Sequence, residues 1–423
     1  MRVLMLSDVY FPRVNGVSTS ISSFRSVLGQ LGVSSTLLAP AYPQHNDSND
    51  AQQQIVRVPG HYLPFDPEDR LMRRRALREQ LRQLDPDSYD LIHIQTPFAA
   101  HYAGVALARR YGKPVLSTYH TLFAEYIHCY APWLPSSLGR KLAQGLSRRQ
   151  CNAVDTVIAP SRIMYDTLRS YGIQSHIEVI PTGLPLAQFA HGDGARFRQQ
   201  HGIAAKRPVA LYVGRVAHEK NLPLLLQMMQ LLRSRQPDLL LVIAGEGPAL
   251  PGLQRQVEKL GLQQQVSFIG YLDRQTTLID CYHAADVFVF PSLTETQGLV
   301  LLEAMACGVP VVAVPAMGAA EIVLAGKGAL PVAANASAFA DGVGSLLSQP
   351  DKRQRMAQAA RHQPRADQRI GIDIADADRL VGMIEDHRRI AGLEGSQRRA
   401  LDVDLVAEHP GMAAAQAVVL ALA

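Results

Sequence analysis

The chain has few of the residues that build stapled, metal-bound or membrane-spanning proteins. Its 423 residues include four cysteines, Cys129, Cys151, Cys281 and Cys307, scattered with no CxxC pair. That argues against a disulfide framework or a zinc site and fits a reducing compartment. No apolar run reaches the ~18 residues of a transmembrane helix, and the final run Met412–Ala423 is too short to span a bilayer. The apolar start Val3–Leu6 gives way to Ser7 and Asp8, unlike a signal peptide. A cytoplasmic location is expected, with any membrane contact peripheral, on the inner face of the plasma membrane. Neither sign of charge dominates: 42 Lys+Arg stand against 37 Asp+Glu, a net +5 that matters only where it is concentrated. Trp133 is the one tryptophan. No aromatic platform or reader motif accompanies the basic residues, so nucleic acid is not an expected partner.

What is present describes an ordinary globular chain, 47% hydrophobic and 19% charged. Its length exceeds what one core usually fills, so two domains are expected. Strand and helix patterns alternate in the first half, with strands expected at Arg2–Ser7, Ser35–Ala39, Asp90–Gln95, Pro114–Thr118, Val154–Ala159 and Ile177–Ile180. Helices are expected at Val17–Leu31 and Phe98–Tyr111. After a Gly, Pro and polar-rich connection from about Thr182 to Arg207 the pattern restarts, with strands at Val209–Val213, Leu239–Ala244, Val266–Ile269 and Val287–Phe290. Such alternation implies an α/β protein of two doubly wound, Rossmann-like parallel-sheet lobes facing a central cleft. The expected boundaries are 1–185 for the first lobe, 186–348 for the second and 349–423 for a C-terminal tail.

One stretch organises the second lobe. In Pro291–Val312, PSLTETQGLVLLEAMACGVPVV, Glu295 lies in a loop after the Val287–Phe290 strand and Glu303 in the first turns of a helix. Gly298 between them lets a ligand approach backbone N–H groups. Ligands of open α/β sheets bind at that carboxyl edge. The loop after Val209–Val213 reads Gly214-Arg215-Val216-Ala217-His218-Glu219-Lys220-Asn221. A planar Arg fork and a Lys point charge suit a diphosphate, which they stabilise as it leaves without a metal ion. Gly16 opens the first expected long helix, where free N–H groups also suit a phosphate; a plain turn glycine would look the same.

The spacing of Glu295 and Glu303, the following Ala-Met-Ala-Cys-Gly-Val-Pro-Val-Val and the Gly214–Asn221 loop together resemble the retaining nucleotide-sugar glycosyltransferases of family 4, which have the GT-B fold. The resemblance runs from the first strand to about residue 348. It implies that Arg215 and Lys220 hold the donor pyrophosphate and that Gly16 lets the first lobe close on it. It further implies that Glu303 receives the ribose hydroxyls, and that Glu295 lies along the donor sugar with the backbone of Gln297, Gly298 and Leu299. His120, in Ser-Thr-Tyr-His-Thr, would orient a sugar hydroxyl, although a lone His at a strand end is by itself usually structural. The form YHTxxxxYxH, with Glu125, Tyr126, His128 and Tyr130, and the run Thr294–Gly298 resemble the bacterial enzymes that glycosylate diacylglycerol lipids.

Asp69–Asp85, DRLMRRRALREQLRQLD, reads as an amphipathic helix. At about 100° per residue Arg75, Arg78 and Arg82 share the face opposite Leu77, Leu81 and Leu84. Such a face suits anionic headgroups, and equally a solvated helix packed by its leucines. The expected activity is transfer of a hexosyl group from a UDP- or GDP-linked sugar, with no cofactor and no metal, to a hydroxyl of a membrane glycerolipid. The alternatives are a soluble or polyprenyl-linked saccharide acceptor, a nucleotide-sugar epimerase, or a non-catalytic nucleotide-binding or membrane-docking module. Gly245-Glu246-Gly247 lacks the third glycine of a dinucleotide fingerprint, Leu250 standing in its place. The DxD triplets at Asp85, Asp376 and Asp402 fall in turn-like or C-terminal stretches. Members of the family close with a helix crossing back to the first lobe, often with an aromatic near its start. Here no aromatic follows Arg361, and Leu380, Ile384 and Ile390 are the apolar positions left for such a helix.

Overall fold

A computed structural model describes residues 1–43, 49–63, 66–122, 135–326, 328–366 and 382. The chain divides at Gly183 and Leu184 into two compact units. The expected contacts of Glu125, Tyr126, His128, Tyr130 and Trp133 lie outside the described residues, as do Asp376, Leu380, Ile384, Ile390, Asp402 and the run Met412–Ala423.

The first unit is built on a seven-stranded sheet of β1 (Arg2–Leu6), β2 (Ser34–Pro40), β3 (Ile55–Val58), β6 (Leu91–Ile94), β7 (Val115–Thr118), β8 (Thr156–Ala159) and β9 (His176–Val179), in the order β3-β2-β1-β6-β7-β8-β9. Every pairing is parallel. The connecting helices are α1 (Gly16–Gln30), α2 (Arg74–Gln83), α3 (Ala99–Tyr111), α4 (Ser136–Cys151) and α5 (Arg162–Ser170). Right-handed crossovers set α1 on one face of the sheet and the other four on the opposite face. Ile21, Phe24 and Leu28 of α1 pack on Val3, Met5 and Leu37 of the sheet, all within 2% of full burial. Each such side chain contributes roughly 1.5–3 kcal/mol when removed from water.

The second unit holds a six-stranded parallel sheet in the order β12-β11-β10-β13-β14-β15. Its strands are β10 (Val209–Val213), β11 (Leu240–Ala244), β12 (Val266–Gly270), β13 (Val287–Phe290), β14 (Val311–Ala313) and β15 (Ala329–Pro331). Its helices are α6 (Leu186–Phe189), α7 (Gly194–Gln200), α8 (Pro223–Leu232), α9 (Leu250–Lys259), α10 (Thr277–His283), α11 (Leu299–Ala306), α12 (Gly318–Ala325), α13 (Ala336–Ser348) and α14 (Pro350–Ala366). β10, β11 and β13 are buried along their whole length, as strands covered on both faces must be, which is why they read as unbroken apolar runs. In each sheet the strand order reverses about one pair, β1 and β6 or β10 and β13. Loops leaving the carboxyl ends of such a pair diverge and open a crevice.

The two lobes and the strands named from sequence are present to within two residues at each end. One expectation is corrected. The Arg-rich helix begins at Arg74 rather than Asp69, because Asp66–Met72 forms β5 and pairs antiparallel with β4 (Gly60–Leu63). Arg70 is therefore a strand residue stacked on the Tyr62 ring, while Leu77 and Leu81 are buried and Leu84 follows the helix. The connection from Thr182 to Arg207 contains α6 and α7, and Arg196 of α7 is paired with the buried Asp280 of α10.

The Gly245-Glu246-Gly247 run, unused as a fingerprint, has a packing role. Gly245 has φ 139°, and a Cβ there would lie 2.0 Å from the Gly214 carbonyl oxygen. This close approach lets Val216 N–H donate to the Glu246 carbonyl at 2.8 Å, which joins the loops after β10 and β11. Gly245→Ala is expected to destabilise the second unit by more than about 2 kcal/mol. Gly252→Ala, where a Cβ meets only the end of Arg255 at 4.0 Å, is expected to be neutral or to stabilise by up to about 1 kcal/mol. Denaturant unfolding of the two variants checks the contrast.

Candidate functional site

The second unit brings the expected residues together where its strand order reverses. Beyond β10 the chain passes Arg215, and His218–Lys220 then forms one 3-10 turn closed by Asn221 in the left-handed conformation, φ 56°, which Asn tolerates better than most residues. The turn aims Lys220 towards the neighbouring strand. Its Nζ lies 2.5 Å from Glu295 Oε1, in the loop after β13, and both side chains are about one-sixth exposed (18% and 17%). Arg215 lies 4.0 Å from Glu219, and its carbonyl accepts a hydrogen bond from Tyr212 Oη at 3.0 Å. Burial, with the charges of Glu295 and Glu219 nearby, pushes the Tyr212 phenol well above its usual value.

The Glu295 loop is fixed by its backbone. The Glu295 carbonyl accepts from Gly318 N–H at 2.8 Å, and a Cβ on Gly318 would sit 2.0 Å from the Thr296 carbonyl oxygen. Met317, just before α12, has φ 47° and ψ −139°, a conformation that costs about 1–3 kcal/mol in a residue other than glycine and is typical of functional loops. Gln297 is buried, Gly298 caps α11 with φ 87°, and Leu299 is the first residue of that helix. The free N–H groups at this helix end face the carboxyl edge of the sheet.

Glu303 lies one turn further along α11 and is 1% exposed. Arg274, beyond β12, pairs with its Oε1, and Tyr282 of α10 donates to its Oε2 at 2.7 Å. Burial and the Glu303 charge push the Tyr282 phenol well above its usual value, so it donates as a neutral hydroxyl. Each Glu303 oxygen has a second lone pair that can accept another bond. Sequence reading missed both partners, since nothing in an Arg 29 residues or a Tyr 21 residues away marks the contact.

The first unit gathers a second group at its own reversal point. His120, beyond β7, lies 2.9 Å through Nε2 from Oε1 of Gln95, which follows β6 and is 1% exposed. Burial lowers the His120 pKa to about 4. His93, bonded to Thr118 Oγ1 at 2.8 Å, is lowered to about 3 by burial and by the neighbouring His120. Asp8, beyond β1, accepts from Thr96 Oγ1 at 2.7 Å and from Ala100 N–H at 3.1 Å, so it caps α3. Burial nevertheless pushes it up to about 6. Gly16 is the first residue of α1, capped by Asn15, and no atom lies within 4 Å of where its Cβ would be. Arg75, Arg78 and Arg82 are not part of this group: they lie along α2, with Arg75 and Arg82 exposed and Arg78 half-buried.

Among the described residues no group of His, Cys, Asp and Glu could hold a metal ion, and no helix is long and apolar enough to cross a membrane. Residues 14–188 match the family described as Glycosyltransferase Family 4, and residues 193–363 match Glycosyl transferases group 1. The alpha-monoglucosyldiacylglycerol synthase of Streptococcus pneumoniae is 33% identical over 319 residues, 74% of this chain and 71% of that protein. The fold is shared with the sucrose-phosphate synthase of Thermosynechococcus elongatus, with TM-score 0.75 at 21% identity, covering 92% of this chain and 100% of that one. It is also shared with Anabaena HepE in complex with UDP-glucose, with TM-score 0.70 at 19% identity and the same coverage.

The buried groups of the first unit set opposite pH dependences. His93 and His120 have folded values of about 3 and about 4, below the ordinary 6.5. The unfolded chain therefore takes up their protons first: their contribution to stability is complete above about pH 6.5 and is lost as pH falls towards 4. Asp8, raised to about 6 from 3.8, works the other way, its contribution complete below about pH 4 and lost as pH rises through 6. In NMR titrations the His93 and His120 ring signals are expected to stay unshifted from pH 8 to 5. A midpoint near 6.5 for either ring would contradict this burial.

Proposed function

This chain belongs to glycosyltransferase family 4, and on that basis we propose that it moves a hexosyl group from a nucleoside diphosphate sugar to a hydroxyl of a membrane glycerolipid, with retention at the anomeric carbon and without a metal ion. The observation that carries this reading is the meeting of Lys220 and Glu295 across β10 and β13, beside the N-terminus of α11. A cation, a carboxylate and free helix N–H groups converge there on one ligand edge, which suits a phosphorylated sugar. The name of the pneumococcal relative supports the glycerolipid acceptor, and the complex of HepE with UDP-glucose supports a nucleotide-sugar donor.

In this reading Arg215 and Lys220 hold the diphosphate and neutralise the charge that grows as it leaves. In the first unit, Gly16 leaves the N–H groups of α1 open to a phosphate. Glu303, oriented by Arg274 and Tyr282, accepts from the ribose hydroxyls through its remaining lone pairs. Glu295, with the backbone of Gln297, Gly298 and Leu299, lines the transferred sugar, and in the first unit His120 offers a neutral ring that can bond a sugar hydroxyl. The acceptor oxygen bonds to the anomeric carbon on the face from which the phosphate departs. As the bond to the phosphate oxygen breaks, that oxygen takes the acceptor's proton. Arg75, Arg78 and Arg82 of α2 provide a cationic face for an anionic membrane surface.

Lys220→Ala is expected to lower turnover by about two orders of magnitude or more. The fold should stay intact, because Lys220 lies in the loop beyond β10, outside the apolar core of the second unit. Initial rates and thermal unfolding check both halves, and near-normal turnover would overturn the assignment. A panel of UDP- and GDP-linked hexoses, offered to diacylglycerol vesicles and to soluble or polyprenyl-linked saccharides with products weighed by mass spectrometry, tests the acceptor. A change in the donor sugar with no acceptor present would mark an epimerase.

A further inference from the structure

Helix α4 has two surfaces of different character. Gly139, Ala143, Ser147, Gln150 and Cys151 are covered by the first unit, so the helix is firmly seated. A surface helix seated in this way normally turns polar side chains outward. Here Leu138 and Leu142, one turn apart, are 48% and 53% exposed. At about 100° per residue they share an outward arc of about 120° with Lys141, Gly145, Arg148 and Arg149. The three cations are exposed, and no atom lies within 4 Å of where a Cβ on Gly145 would be. The helix sequence, SSLGRKLAQGLSRRQC, contains no acidic residue.

We propose that this outward face of α4 docks on an anionic lipid bilayer, with Leu138 and Leu142 entering the headgroup and acyl boundary and Lys141, Arg148 and Arg149 meeting lipid phosphates. The pairing of apolar side chains with same-sign cations selects the occupant. A bilayer interface offers apolar depth and negative charge side by side, whereas a protein partner would need both a leucine pocket and a matched acidic rim. The face is distinct from the arginines of α2, which lack exposed leucines: Leu77 and Leu81 are buried there. The inference deepens the glycerolipid reading, because an enzyme whose acceptor stays in a bilayer must meet that bilayer with a fixed surface.

Two double variants test it, Leu138→Ser with Leu142→Ser and Lys141→Glu with Arg149→Glu, none of them residues of the proposed donor site. Binding is measured by co-sedimentation with vesicles of equal phosphatidylglycerol and phosphatidylcholine containing dioleoylglycerol. Turnover is measured on those vesicles and on dihexanoylglycerol dissolved as monomers. Each variant is expected to need at least ten times more lipid for half-binding and to lose turnover on vesicles while keeping it on dihexanoylglycerol. Wild-type binding should weaken on pure phosphatidylcholine and in high salt. Wild-type-like vesicle binding by both variants would overturn the proposal, as would loss of self-association in the variants with vesicle binding intact. If wild type glycosylates no diacylglycerol while the variants still lose vesicle binding, the docking face stands and the glycerolipid acceptor falls.

Discussion

A carboxylate buried to 1% of its surface is the constraint around which the second unit is arranged. Glu303 draws Arg274 from beyond β12 and Tyr282 from α10 onto α11, so three segments far apart in sequence share one charge. Taking such a charge out of water costs several kcal/mol unless it is paired and hydrogen-bonded, and removing one partner typically costs about 3–5 kcal/mol. The surroundings are correspondingly rigid. Tyr282 is fully buried and packs edge-on to Phe189 and tilted against Phe288, so the phenol that orients Glu303 is held by the same aromatic cluster that underlies β13. A group fixed in this way presents its remaining lone pairs in a set direction before any ligand arrives, and a binding site needs that of its supporting residues.

The fold was legible from sequence where a strand is buried on both faces. Val209–Val213 and Val287–Phe290 have no polar positions, and only a covered parallel sheet tolerates that. Legibility failed where burial is partial and charge is local. Asp66–Met72, DPEDRLM, contains too many charges to read as a strand, yet it pairs with Gly60–Leu63 and moves the start of the Arg-rich helix to Arg74. Gly245 and Gly247 looked like a broken fingerprint because sequence shows which residue is missing and not which carbonyl a Cβ would strike. The carboxyl-edge placement of Glu295 and the entry of α11 at Gly298 followed from local pattern alone. The partners of Glu303 and His120 did not, since Arg274, Tyr282 and Gln95 join them only through the topology of the sheets.

That topology accounts for why the named residues cluster as they do. Each sheet reverses its strand order about one pair, and the loops leaving that pair hold the clustered polar side chains: Asp8, Gln95 and Thr96 beyond β1 and β6, and Arg215, Lys220 and Glu295 beyond β10 and β13. Adjacent parallel strands lie only about 5 Å apart, so side chains from the two loops meet without either loop being long. His120 comes from β7, next to β6, and reaches Gln95 for the same reason. Burial then keeps its ring neutral through the physiological range, which leaves it able to accept a hydrogen bond as well as donate one.

The two ion pairs of the second unit differ in a way that matches separate tasks. Glu303 lies under the surface, 1% exposed, while its partner Arg274 is 22% exposed, so separating them leaves the carboxylate without water. Lys220 and Glu295 are each about one-sixth exposed, in loops at the edge of the sheet, so water reaches both partners and weakens their attraction. The first pair therefore holds geometry. The second restrains Lys220 only lightly: a dianionic diphosphate entering between the loops competes for the ammonium with a larger charge and more acceptor oxygens, at small cost in folding stability. On the proposed reading, a ligand that takes Lys220 leaves Glu295 beside it with its acceptors open to sugar hydroxyls, so one contact keeps both groups of the proposed donor site side by side.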